Sequence, residues 1–325
     1  MLVSVIMAMR NAEPYVRQAL ASVLQETEVP LEVVVVDDGS TDRSRAIVQG
    51  IGDPRVRIVD GPRRGVSASI NTGLAAARGD IIMKCDADDL YPPGRIGDQV
   101  AWLYAHPEHD AVCGAFSTID SGGRAVADLC VRAEDLSAQE ISSELRSGTT
   151  RTSLCTYAIR RSALSAVGLH RDYFETSSDI DLQLRLGEAC RVAYLPENTY
   201  FYRLHDASIT HTQGNARRVF YENTVREFQR QRLATGTDDL AAGHPPVPPA
   251  SHGDAPGQVA SQIQGMLLGE AWRELAKGHR RAAAAKAWRA VVANPSSRAT
   301  WISAIKLGVR VILSTSSDGH HVDRK

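Results

Sequence analysis

Two short runs of β-branched and apolar residues open the chain, "LVSVIMAM" at 2–9 and "LEVVVVDDGS" at 31–40, and each ends in polar or turn-forming positions. Uninterrupted apolar runs of this length suit parallel strands covered on both faces. Between them, "AEPYVRQALASVLQET" repeats apolar residues at Tyr15, Val16, Ala19, Leu20, Val23 and Leu24, the spacing of a helix with one buried side. Strand, helix, strand is a βαβ unit. The pattern then predicts a helix over "STDRSRAIVQGIG" with Ser40 or Thr41 as its N-cap. A third strand follows over "VRIVD", a helix over "VSASINTGLAAARG" ending at Gly79, and a fourth strand over "DIIMKCDADD". Further on come a helix ("PPGRIGDQVAWLYAHP"), a strand ("DAVCGAFSTID"), an amphipathic helix ("SDIDLQLRLGEA") and an extended stretch ("CRVAYLPENTYFYRLH"). The front of the chain is expected to be an open α/β sheet whose strand ends carry the ligand site.

Past residue 215 the pattern changes. Residues 216–235 read as a connecting helix and 236–257 as a Pro/Gly-rich linker, "GTDDLAAGHPPVPPASHGDAPG". Residues 258–314 read as three helices broken at Gly278 and Asn294-Pro295, and 315–325 as a loose tail. Charge follows the same division. Residues 1–213 hold 21 Lys and Arg against 29 Asp and Glu, whereas 214–325 hold 16 against 9. An acidic front (−8) and a basic back (+7) suggest separate jobs, and the back suits an anionic partner or a membrane surface. Two solvated surfaces of opposite sign would look the same.

Five scattered cysteines (Cys85, Cys113, Cys130, Cys155, Cys190) without CxxC spacing argue for reduced thiols in the cytosol and against a zinc site. "MLVSVIMAMRNAEPY" has no basic leader and reads as a strand, not a signal peptide. No stretch approaches the ~20 apolar residues that span a bilayer. The expectation is a cytoplasmic protein, soluble or peripheral on the inner face of the membrane, with no nucleic-acid partner.

Two acidic clusters carry the candidate chemistry. Asp37 and Asp38 end the second strand, where Asp38 can accept from a nucleobase N–H or a ribose hydroxyl; a turn and helix-capping cluster is the other reading. No GxGxxG accompanies them, so a dinucleotide site is not expected. Asp86-Ala87-Asp88 ends the fourth strand. On an extended backbone, alternation would point both carboxylates one way, toward one hard cation such as Mg²⁺ or Mn²⁺. Asp89 would point the other way, as a loop or cap residue.

The segments "VSVIMAMRNAEPYVRQALASVLQET", "LEVVVVDDGSTD", "GVSASINTGLAAARGDIIMKCDADDLYPPGRIGDQVAWLYAHPE", "IRRSALSAVG", "SSDIDLQLRL" and "YRLHDASIT" follow one another over about residues 2–213. In order and spacing they resemble family 2 glycosyltransferases of the GT-A fold, a mixed, mostly parallel, Rossmann-like sheet flanked by helices. The resemblance implies transfer of a sugar from a nucleotide-diphosphate donor, usually UDP-linked, with inversion at the anomeric carbon. By that resemblance Asp38 binds uracil, Asp86 sits by the ribose, and Asp88 binds the metal, with Asp86 and His205 in its shell. Asp179 lies where such enzymes place the general base. Ala8, Arg10, Glu13, Arg63, Arg64, Gly65, Asn71, Lys84 and Ala87 fall within the matched donor-binding segments. Mn²⁺ or Mg²⁺ is the implied cofactor, and the acceptor a glycan, a lipid-linked sugar or a small molecule.

Departures bear on the details. Arg10 stands where many relatives carry Tyr or Phe; a guanidinium can stack on uracil or pair with phosphate. Ser178 stands where an acid commonly precedes the base. Gln183 is followed by Leu184 and Arg185, so the QxxRW signature of processive synthases is not met and single-sugar transfer is expected. Asp179 at a helix start would have its pKa lowered by the helix dipole, and Asp181 reads as structural. A sugar-nucleotide nucleotidyltransferase, releasing pyrophosphate, is the alternative enzyme; an inactive nucleotide-sugar-binding scaffold is the alternative from another class. The C-terminal helices resemble tetratricopeptide-like hairpins, and "WISAIKLGVRVIL" reads as a helix packed on the hairpin, a homodimer contact or an in-plane membrane helix.

Overall fold

A computed structural model describes residues 1–129, 137–206, 215–250 and 259–316. Cys130, residues 207–210 of "YRLHDASIT" and the tail after 316 lie outside them. The chain divides into two compact units. The first is Met1–Ser117, Asp128–Arg203 and Gly214–Asp254; the second is Thr118–Ala127, Leu204–Gln213 and Ala255–Lys325.

Four parallel strands form the first half of the sheet, β1 (Val3–Met9), β2 (Leu31–Asp37), β3 (Val56–Asp60) and β4 (Ile81–Lys84), in the order β3-β2-β1-β4. In the central register Val3 lies opposite both Leu31 and Ile81. Helices α1 (Val16–Leu24), α2 (Ser44–Gln49) and α3 (Val66–Ala76) make the crossovers. Beyond β4 the sheet changes sense. After α4 (Arg95–Ala105) come β5 (Ala111–Ile119), β6 (Ala125–Leu129), β7 (Gln139–Glu140), α5 (Ser142–Arg146), β8 (Ala158–Arg160), α6 (Arg161–Val167), α7 (Ser178–Ala189) and β9 (Val192–Arg203). The order continues β4-β8-β5-β9-β7, with β8 antiparallel to β4 and β6 paired to β5.

Strand periodicity divides the core into two layers. Val3, Val5, Met7, Val33, Val35, Ile81 and Met83 face α1 and α4 through Val16, Leu20, Val23, Ile96 and Leu103. Ile6, Val34, Val36 and Ile82 face α3, α6 and α7 through Ile70, Leu74, Leu164, Leu182 and Leu186. The helix α3 lies close on β1: a Cβ on Gly73 would stand 2.5 Å from Ile6 Cγ2. Helix α8 (Asn215–Thr235) adds an aromatic cluster, with Tyr221, Val225 and Phe228 against Phe174 and Leu184.

The second unit contains α9 (Val259–Ala276), α10 (Arg280–Ala293) and α11 (Arg298–Ser316). Ala271, Ala283, Ala287 and Leu307 form its core, and the three alanines let the helices approach. Gly278, at φ +83°, ends the first of them. Among the described residues no helix is long and apolar enough to cross a membrane.

The expected strands and helices form, with three differences. Helix α2 begins at Ser44, not at Ser40 or Thr41. Asp42 Oδ1 accepts from the Ser44 N–H (2.9 Å), while Ser40 Oγ accepts from Asn11 N–H and Thr41 N–H donates to Asn11 Oδ1. Helix α3 ends at Ala76, short of Gly79. Strand β4 ends at Lys84, so the three aspartates that follow stand in a turn rather than on a strand.

Candidate active site

Alternation along a strand cannot orient Asp86 and Asp88, because the Asp89 N–H donates to Asp86 O (3.2 Å) and turns the chain. What orients Asp86 is Lys84. Its Nζ lies 2.6 Å from Oδ1 and donates to Oδ2 at 2.7 Å. The Cys155 thiol donates to the same Oδ2 (3.2 Å). Burial alone would depress the Lys84 pKa, but the Asp86 carboxylate holds it well above the ordinary value. Burial and Asp86 push the Cys155 thiol up to about 12, so it stays a neutral donor. Two buried tyrosines close the frame: the Asp86 N–H donates to Tyr200 Oη (3.0 Å), and Tyr91 O–H donates to Lys84 O (2.7 Å).

Asp89, expected as a loop or cap residue, stands outside helix and strand but is buried: it is 1% exposed, and its Oδ1 accepts from the Arg203 N–H (2.7 Å). Burial, then the charges of Asp88 and Asp86, raise its pKa well above the ordinary carboxylate value. Arg203, itself buried, donates from Nε to Asp88 O (2.6 Å) and from Nη2 to Gln18 (3.2 Å), and its guanidinium lies over the Tyr15 ring. It thereby fixes the turn from the end of β9. Lys84, Cys155, Tyr200 and Arg203 hold this turn. Of these four, only Lys84 was expected here, although Arg203 stands inside "YRLH". Arg63 and Arg64 were expected to add positive charge to the same carboxylates, but the Arg63 N–H donates to Asp38 and Arg64 pairs with Asp172.

After β2, two strands over from β4, the Asp38 carboxylate accepts from the N–H groups of Arg63 (2.6 Å) and Gly65 (3.2 Å). A carboxylate has about four acceptor sites, so capacity remains for a ligand. The loop after β3 passes so close that a Cβ on Gly61 would stand 2.7 Å from Asp38 Cα. Burial would raise the Asp37 pKa, but hydrogen bonds from Ser40 and Arg45 outweigh it and leave it lowered. Arg10 is exposed at the end of β1, and Ala8 half-buried within it. Glu13 is held by Arg43, whose backbone N–H and Nε donate to its two oxygens. Arg64 pairs with Asp172 (2.5 Å). Asn71 is tied to the backbone of His170 in both directions (2.8 and 3.0 Å). These last two contacts hold the segment leading into α7.

That segment carries Asp179 in the first turn of α7. Its pKa is raised, against the expectation from the helix dipole. Burial dominates, and the Lys84 charge and the Ile180 backbone N–H only partly offset it. The same balance includes Asp86, so the half-buried Asp179 lies within electrostatic reach of the Lys84–Asp86 pair. His170 lies within it too; burial and Lys84 lower its pKa to about 3, so it is neutral. Beneath them an apolar cavity of about 30 Å³ is bounded by Lys84, His170, Tyr157 and Leu182, room for no more than a few waters. Asp179 and His170 are thus both within electrostatic reach of the Lys84–Asp86 pair. His205 belongs to the second unit.

Asp86, Asp88 and Asp89 crowd three carboxyl groups into one turn, and Asp89 Oδ2 is a buried oxygen without a hydrogen-bond partner. Among the described residues no three His, Cys, Asp or Glu side chains form a cage for a metal. An incomplete, all-oxygen set suits Mg²⁺ or Mn²⁺, which take one or two carboxylates and draw the rest from phosphate and water.

The Glycosyl transferase family 2 profile matches residues 4–168, from β1 into α6 and across the whole Asp86 turn. The chain belongs to this family. Curated proteins similar to it include an uncharacterized glycosyltransferase of Nostoc sp., 26% identical over 64% of this chain, and the uncharacterized glycosyltransferase EpsJ of Bacillus subtilis, 29% identical over 64%. The chain spans 66% and 63% of the lengths of those two relatives. Among solved structures, S. aureus TarS 1-349 in complex with UDP-GlcNAc is 17% identical with a TM-score of 0.60, covering 99% of this chain and 93% of that one. The family 2 chain therefore has the GT-A fold, with helices appended after it.

Proposed function

We propose that the chain transfers a single sugar from a UDP-sugar to an acceptor hydroxyl, with inversion, in glycan or glycoconjugate synthesis. The observation that carries this reading is that Asp179 lies within electrostatic reach of the Lys84–Asp86 pair, which stands at the end of β4. Family membership and the UDP-GlcNAc complex of TarS support a nucleotide-sugar donor.

Inverting transfer is an in-line displacement. The acceptor oxygen forms a bond to the anomeric carbon as the bond to the diphosphate oxygen breaks, and the nucleoside diphosphate leaves with the electron pair. Asp179 takes the acceptor proton; burial raises its pKa, which makes its carboxylate a stronger base than that of an ordinary aspartate. Asp38 orients the base moiety at the end of β2. Asp86 is the group for the ribose, and Lys84 fixes its carboxylate through a 2.7 Å hydrogen bond. Asp88, with Asp86, would hold a divalent cation, which neutralises charge on the leaving diphosphate.

Calorimetric titration of UDP into the full chain tests the donor site. Binding is expected with Mn²⁺ or Mg²⁺, and at least tenfold weaker with EDTA or in Asp88→Ala. GDP and dTDP form the control series, because exposed Arg10 does not select uracil by shape. If no nucleoside diphosphate binds in the presence of metal, the glycosyltransferase reading of this chain is wrong.

A further inference from the structure

The two last helices of the second unit expose large apolar side chains on one surface. Trp288 and Val292 of α10 are 62% and 58% exposed; Trp301, Ile302 and Ile305 of α11 are 41%, 47% and 60% exposed. The indoles of Trp288 and Trp301 meet edge to face with centroids 6.4 Å apart, so the two stripes form a continuous patch. Positions 288 and 292 are one turn apart, as are 301 and 305, the spacing of a single helix face. Packing within the bundle uses the other side, through Ala283, Ala287 and Leu307.

The charge around this patch has one sign. Residues 280–316 contain seven Lys and Arg and no Asp or Glu. Arg281, Arg298 and Lys306 flank the apolar side chains and are exposed. The two acids of α9 do not compensate them. Glu270 pairs with Arg273 and Lys286, and Glu274 with His279 and Lys277.

We infer that this Trp-centred, basic-rimmed face of α10 and α11 docks on an anionic lipid surface. Indoles and isoleucines enter the headgroup–acyl boundary, and the flanking cations remain among the phosphates. Charge decides between this occupant and a second copy of the chain. A two-fold contact would set one cationic face against another, whereas an anionic bilayer complements all of it. No helix crosses the membrane among the described residues, so this is attachment in the plane of the interface. A peripheral catalytic unit held in this way would meet a lipid-linked acceptor at the surface.

Cosedimentation of the full chain with phosphatidylglycerol-containing vesicles, against pure phosphatidylcholine vesicles, tests the inference. Binding is expected to the anionic vesicles only and to weaken steeply between low and high salt. Arg281→Glu with Lys306→Glu should reduce partitioning by more than about fivefold per side chain, since each cation near such a surface contributes about 1 kcal/mol. Trp301→Ser with Ile305→Ser should reduce it about tenfold or more at unchanged charge. All four positions are exposed, so thermal unfolding and UDP binding should match the wild type and serve as the folding control. Absence of vesicle binding at low salt overturns the proposal, and sedimentation equilibrium then shows whether a second copy covers the face. Binding that survives both double substitutions also overturns it.

Discussion

Asp179→Asn is expected to lower kcat by about 10²–10⁴-fold while leaving the affinity for UDP within twofold of wild type. The amide keeps the size and position of the side chain at the start of α7 but cannot accept the acceptor proton. Donor binding rests on groups at the ends of β2 and β4, so it has no reason to change. A pH series on the wild type gives a second readout. Asp179 must be ionised to work, and burial raises its pKa above the ordinary aspartate value of 3.8. Activity is therefore full at high pH and is lost as pH falls through the raised value. The acidic limb of kcat should lie above that of an exposed aspartate. Asn should lack that limb altogether. Turnover retained within tenfold by Asp179→Asn would remove this residue as the base, and an equally inactive wild type that still binds UDP would favour a scaffold.

The α/β alternation was legible because two periodicities carry it. Buried strands read as runs such as "VSVIMAM" and "LEVVVV", and helix α1 shows its apolar stripe at 3.6-residue spacing. Cooperation between distant segments was not legible. Extended geometry was expected for "KCDADD", yet Arg203, 114 residues from Asp89, donates its N–H there and the chain turns. The same distance hides why Asp89 is buried. The cap of α2 was misplaced for a related reason: Asn11, some 30 residues earlier, draws Ser40 and Thr41 away from the helix. At Asp179 the dipole was the visible local effect, and burial, which only the fold creates, outweighed it. The start of the Pro-rich stretch also reads as linker until its Asp238 is found 3% exposed, paired with arginines from two other segments.

Those arginines belong to the network beneath α7, and Asp181→Asn is expected to destabilise the first unit more than any substitution at the site itself. Asp181 is wholly buried. Its Oδ2 accepts from Arg171 Nε and Arg185 Nε, each at 3.0 Å, and Arg171 Nη2 donates to its Oδ1. Arg171 also donates to Asp238 (2.6 Å); Arg232 donates to Asp238 (2.6 Å) and to Glu188 (2.6 and 2.9 Å). Arg185 continues to the carbonyls of Val167 and Leu169, while its burial lowers its own pKa. An asparagine of the same shape leaves two guanidiniums facing a neutral group and turns one acceptor into a donor against them. Breaking a buried pair from one side costs roughly 3–5 kcal/mol. For a unit of this size that lowers Tm by roughly 10 °C. Adding Arg185→Met should recover part of the loss, because Asp181 is the carboxylate that Arg185 pairs with, whereas Arg171 keeps Asp238. A Tm within about 2 °C of wild type for the single substitution would mean that the network carries no stability. The expected loss has a functional corollary. Asp181 stands two residues after Asp179, so the arginines that hold it also set the turn on which the proposed base is carried.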